Sequence, residues 1–247
     1  MRRKYNNPPL AEALCEFQFI PSQPSDMTIP GIFYEKISAN FPIKQPQFGL
    51  GVNFQAQEGG LAQKVEMSQR MQFFRSDKVA LMQLGTDLLT VNHLKPYPGW
   101  EDFKPMISEG IQIYRDVAKP KSLKQIGLRY INKIEIPEIP AEVTDYFEFY
   151  PFIPKSLPQD HESFQSVVEF PYEKGRDKLV VILASIFPEK QNTVLILMEL
   201  QYVMVMPERI SLDDVPDWIE QAHEVISNAF EACITDKSRK IFGGEEQ

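Results

Sequence analysis

The chain has 247 residues, 43% of them hydrophobic, which is enough to bury a sizeable core and too apolar for wholesale disorder. Its 26 basic against 34 acidic side chains leave a formal charge of −8. That balance argues against nucleic acid as a default partner, because backbone binding needs clustered lysine and arginine.

In chain order, the start through Phe17 has no apolar run of signal-peptide length, since Glu12 and Glu16 interrupt it. Pro8 and Pro9 hold a short extended arm. Leu10–Phe19 then alternates, with Ala11, Ala13, Cys15, Phe17 and Phe19 on one face and Glu12, Leu14, Glu16 and Gln18 on the other. Period two predicts a half-buried strand. Pro21 and Pro24 mark a loop, and Phe33, Ile37 and Phe41 predict a short helix that Pro42 stops. Residues 45–60, rich in Gly, Pro and Gln, predict a loop with one weak strand at most.

Val65–Phe73, Val79–Leu84 and Leu88–Asn92 predict three strands, joined by turns at Ser76–Lys78 and Gly85–Asp87. Phe103, Ile107, Ile111, Tyr114 and Val117 predict a helix over Pro105–Val117, with Pro105 in its first turn. Ile126–Ile136 predicts a long strand, with Arg129 and Lys133 on the face opposite Leu128, Tyr130 and Asn132. A helical turn in Val143–Tyr150 and a proline-punctuated loop follow. Phe164–Phe170, Leu179–Phe187 and Thr193–Met206 predict strands joined by turns at 173–177 and 188–192. The last two are apolar on both faces, which predicts interior strands. Something must then cover their second face: the loop Pro137–Pro158, with Phe147, Phe149, Tyr150 and Phe152, or a second subunit. Finally Trp218, Ile219, Ala222, Ile226, Phe230 and Ile234 predict one long amphipathic helix over Pro216–Arg239, with frayed residues at 245–247.

These elements define an α+β protein with a mostly antiparallel sheet covered by long helices. The order strand, short helix, strands, long helix recurs in 10–120 and 121–244, so the chain reads as one compact unit of two pseudo-repeat halves. A duplicated fold of the TATA-binding-protein shape, or a helix-grip fold, satisfies that order; this analogy carries no statement about DNA.

Tyr5-x-Asn7-Pro8-Pro9-Leu10-x-Glu12-Ala13-x-x-Glu16-x-x-Phe19, the stretch Gly127–Ile134 (GLRYINKI) and the C-terminal segments around His223–Glu231, Ile234–Asp236 and Ile241–Gly243 carry a resemblance. The chain resembles an uncharacterised, sporadically distributed bacterial protein family of about this length. The resemblance implies a cytoplasmic bacterial or phage-related protein, and it supplies no catalytic residues.

Chemistry-bearing patterns are sparse. Cys15 and Cys233 form no disulfide scaffold, and His93, His161 and His223 have no second ligand at metal spacing, so no metal or cofactor is expected. Gly49-x-Gly51 and Gly59-Gly60 lack the setting of a phosphate loop. Asp160-His161-x-Ser163 resembles a triad in letters only. Three small basic islands, Arg2–Tyr5, Lys119–Lys124 and Lys237–Lys240, read as solvated surface or a helix C-terminus.

The best candidate site is Glu12 and Glu16 on the first strand with Arg129 on Ile126–Ile136. It reads either as a structural ion pair between the halves, with Arg129 buried against one of the acids, or as a ligand or partner cleft; Asn132 is a buried amide beside it. The expected function is a non-catalytic cytoplasmic interaction protein, accessory to a bacterial defence or regulatory operon. It would act with an unidentified protein partner, away from membranes, and as a homodimer. The alternative is a small-molecule-binding enzyme or sensor with its cleft near Glu12, Glu16 and Arg129.

Overall fold

The computed structural model describes residues 5–24, 26–57, 60–137, 141–159, 161–187 and 193–243, without the side chains of 49–68. The basic start Arg2–Lys4, Gly59, Pro140, Asp160, the turn 188–192 and the tail 244–247 lie outside the described residues. The fold is α+β, with a large antiparallel sheet and several helices.

The strands are β1 (Leu10–Ile20), β2 (Ile43–Gln57), β3 (Gly60–Phe74), β4 (Ala80–Gly85), β5 (Leu88–Leu94), β6 (Ser122–Ile136), β7 (Gln165–Tyr172), β8 (Asp177–Ile186) and β9 (Val194–Met204). The helices are α1 (Ile29–Ile37), α2 (Trp100–Ala118), α3 (Val215–Cys233) and α4 (Asp236–Ile241). The chain divides into two compact units. Unit 1 takes its residues from 1–14, 94–97 and 127–247, and unit 2 from 15–93 and 98–126, so the division passes through β1 and β6.

Unit 2 orders its strands β2-β3-β4-β5-β1-β6. The β2–β5 pairings are antiparallel, and β1 joins β5 through Phe19 N–H to Asp87 O at 2.9 Å. One face carries Phe17, Phe19, Phe73, Met82 and Val91, all buried. Helices α1 and α2 cover that face, with Phe33 beside Phe73 and Tyr114 stacked on Phe19 at 4.2 Å between centroids. Gly110 lets α2 approach closely: a Cβ there would come within 3.0 Å of Val91 Cγ2.

Three expectations for this unit are corrected. Residues 43–57 form a full strand, because its backbone groups are satisfied by the ladder to β3 in spite of weak β-propensity in Gly, Pro and Gln. Helix α2 begins at Trp100, five residues before Pro105. Buried Trp100 extends the apolar stripe, while Glu101 and Asp102 suit the helix N-terminus. Pro105 therefore lies inside the helix.

Unit 1 orders its strands β1-β6-β9-β8-β7. Pairings β7–β8 and β8–β9 are antiparallel, and Lys133 N–H bonds Pro9 O beside β1. The interior strands β8 and β9 are the two apolar ones, while β7 lies at the edge. Helix α3 packs on the face of Tyr130 and Tyr202, placing Trp218 5.5 Å from the Tyr202 ring.

The single C-terminal helix expected from periodicity is broken. Ile234 is extended (φ −112°, ψ 151°) and bridges Phe147, and Thr235 precedes α4. The loop before β7 supplies that break: Glu148 N–H bonds Cys233 O, and Ser238 Oγ and Thr235 N–H both donate to Tyr146 O. Tyr146 and Phe147 are therefore buried against the α3–α4 junction, and Phe152 is exposed. Phe147 is thus not available to cover the second sheet face.

Candidate functional site

The face of the unit 1 sheet opposite α3, here the reverse face, presents Arg129 from β6, Glu199 from β9 and Ile182 from β8. Strand alternation puts them there, since Tyr130, Met198 and Leu183 turn to the helix side. Arg129 Nη2 donates to Glu199 Oε2 at 2.6 Å. Burial is unequal: the arginine side chain is 37% exposed and the glutamate 10%. Arg129 Nε is buried without a hydrogen-bond partner among the described residues.

The sequence pairs Arg129 with Glu12 or Glu16; the acceptor described for it within unit 1 is Glu199, carried by β9, which neighbours β6 in the sheet. Arg129 is also only partly buried. Glu12 lies half-buried on β1. Asn132 is buried, and its amide donates to Met198 O at 3.2 Å, which binds β6 to β9. Glu199 was visible in the sequence as a lone carboxylate inside an apolar strand, and that was its signal.

Glu16 belongs to unit 2, on the reverse face of that sheet. It lies 3.5 Å from Arg70 Nη1, accepts from Thr90 Oγ1 at 3.3 Å, and accepts from Gln18 Nε2 at 3.3 Å. Beside it runs a row of amides: Gln72 Nε2 donates to Gln47 Oε1 and to Gln83 Oε1, and Gln83 Nε2 donates to Asn92 Oδ1 at 2.9 Å. Nothing in the periodicity of β3 and β4 announces these rows, because they need the register between four strands.

Three further clusters hold titratable groups in unit 1. Tyr130 Oη shares a hydrogen bond of 2.7 Å with His223 Nδ1, and Tyr97 Oη lies 3.4 Å from Tyr130 Oη. His223 thus sits at the helix–sheet contact. Asp177, expected within a turn, opens β8 and is fully buried; it accepts from Arg176 Nη2 (2.6 Å) and Nε (3.1 Å), Tyr202 Oη (3.1 Å) and Trp218 Nε1 (3.3 Å). Tyr150 Oη and His161 Nε2 are 2.9 Å apart, with His161 Nδ1 3.0 Å from Gln159 O. Burial, aided by Glu142, raises the Tyr150 phenol, so this pair holds a neutral tyrosine and no activated nucleophile.

Neither thiol is reactive. Burial raises Cys15 well above the usual thiol range, with Glu16 adding to it, and pushes Cys233 up to about 11. Among the described residues no three His, Cys, Asp or Glu side chains group as metal ligands would. No helix among them is long and apolar enough to cross a membrane. Taken together these clusters join strands to helices and turns, and their donors and acceptors are directed at one another. Comparison with known proteins found no match among family models, curated proteins or solved structures.

Proposed function

We propose that this chain is a non-catalytic interaction protein that meets a protein partner on the reverse face of the unit 1 sheet. The observation that carries the reading is the composition of that face. Val180, Ile182, Ala184 and Leu197 are half-buried there, and nearby charges are already paired as Arg129–Glu199 and Lys178–Glu169. Such a surface is poor in free catalytic groups and rich in apolar area that a partner can cover. In this reading the chain works as a homodimer in the bacterial cytoplasm, accessory to a defence or regulatory operon; the resemblance carried by Tyr5–Phe19 and Gly127–Ile134 supports only the bacterial, cytoplasmic setting. The duplicated architecture of TATA-binding-protein or helix-grip type belongs to the same reading. It is supported by the element order β1-α1-β2 to β5-α2 beside β6, a 3-10 turn, β7 to β9 and α3.

Purification of the tagged chain from bacterial lysate tests the reading. A stoichiometric protein should accompany it and be lost from Ile182→Glu, whose thermal midpoint should stay near the parent's. Recovery of the chain alone, or equal capture by the variant, would overturn it.

The unpartnered Arg129 Nε favours a second reading, a small anionic ligand held at Arg129. A carboxylate or phosphate metabolite that stabilises the parent but not Arg129→Met would select it.

A further inference from the structure

We propose that two copies of this chain pair through the open edge of β7, antiparallel, with Val167 facing its own counterpart across a two-fold axis. This rests on the homodimer reading and names its interface.

The ladder to β8 determines which groups face outward. Ser185 N–H bonds Phe164 O at 3.1 Å, so Phe164 opposite Ser185 is a hydrogen-bonded pair. Alternation along β7 then turns the backbone groups of Gln165, Val167, Glu169 and Pro171 away from β8. Strand β7 ends its sheet, and no described residue bonds the N–H groups of the first three. Pro171, which has no N–H, stands at an outward position where none is needed by β8. The side chains are open as well, with Val167 51% and Phe170 42% exposed.

Edge strands are usually kept apart by charge, proline or bulges. Here Glu169 is neutralised within its own chain by Lys178 Nζ at 2.7 Å. The remaining question is register, and the sequence QSVVEFPY discriminates. An axis at Glu169 sets two carboxylates directly opposite and places Val167 against Pro171. An axis at Val168 sets Gln165 against Pro171, which cannot donate. An axis at Val167 pairs every outward N–H and C=O from Gln165 to Glu169. It sets the Gln165 amide opposite Glu169 of the partner subunit, and Phe170 opposite Phe164 of the partner subunit. Of these three axes only Val167 uses no proline and opposes no like charges, and an axis at Ser166, which also avoids both, leaves the outward groups of Glu169 unmatched within β7.

Sedimentation or light scattering of the full chain should give a dimer at micromolar concentration. Val167→Pro removes the outward N–H at the axis and leaves the β8 ladder intact. It should be monomeric with an unchanged thermal midpoint. Val167→Cys should form a covalent dimer on oxidation, and Val168→Cys, whose counterpart is offset, should not. A monomeric parent would overturn the homodimer reading and this interface with it. A dimer retained by Val167→Pro, or a dimeric Val167→Cys that does not cross-link, would place the contact elsewhere and overturn this interface alone. Should Val167→Pro fail to fold, the paired cysteine variants decide.

Discussion

Arg129 and Glu199 differ in what each can do when the other is removed. Arg129, 37% exposed, can turn its head into water, whereas Glu199, 10% exposed, cannot. Arg129→Ala should therefore destabilise by about 1–3 kcal/mol, the cost of a buried acceptor left unmet, and Glu199→Ala by under about 1 kcal/mol. Urea unfolding of the two variants reads this inequality; equal losses would mean that the pair acts as an ordinary surface bridge. Asp177 presents a different case, since all its partners are donors. Asp177→Asn would turn an N–H₂ group toward them, so it should cost about as much as Asp177→Ala, about 3 kcal/mol. Tyrosines supply a pH signature. Burial raises the phenols of Tyr5, Tyr114 and Tyr202, with Glu231, Asp87 and Asp177 respectively adding to it. A raised folded pKa means that their contribution is complete below about pH 10, the ordinary tyrosine value, and is lost as pH climbs through the folded values. Ultraviolet difference spectra in alkali should show the Tyr5, Tyr114 and Tyr202 phenols ionising only as the chain unfolds.

At the scale of elements, Pro105 inside α2 removes one backbone donor and crowds the carbonyl of Glu101. Pro105→Ala should raise stability by about 1–2 kcal/mol, less than the full interior penalty because the proline also restricts the unfolded chain. A calorimetric midpoint no higher than the parent's would show that the helix has adapted around it. That helix shows what was legible and what was not. Its stripe from Phe103 to Tyr114 is local, so periodicity found it, while the extension to Trp100 depends on burial by other elements. In the same way β2 carries weak local signals and exists because β3 pairs with it, and the end of α3 at Cys233 is set by Tyr146 and Phe147. Of the candidate site, the placement of Arg129 on the reverse face followed from alternation alone. Its partner did not, because a carboxylate 70 positions away becomes a neighbour only through the order of strands.

At the scale of the whole molecule, neither compact unit is a contiguous piece of chain. Unit 1 needs Leu10–Leu14 beside β6, and unit 2 needs Ser122–Ile126. Fragments 1–120 and 121–247, expressed separately, should each lack native thermal cooperativity, since each loses a strand from a sheet that otherwise ends there. A cooperative transition in either fragment would show that the missing strand is dispensable. The arm before β1 carries the same logic further. Tyr5 Oη donates to Glu231 Oε1 at 2.6 Å, its ring stands edge-on to Phe230 and Phe242, and Asn7 N–H bonds Phe242 O. Tyr5 and Glu231 are 226 positions apart. A ribosome adding about 5–20 residues per second thus makes Tyr5 wait roughly 11–45 s for its acceptor. Unit 1 therefore closes only after Phe242 has been made, and a chain cut short before Phe242 is left with its first strand unclasped, a form that quality-control proteases can recognise.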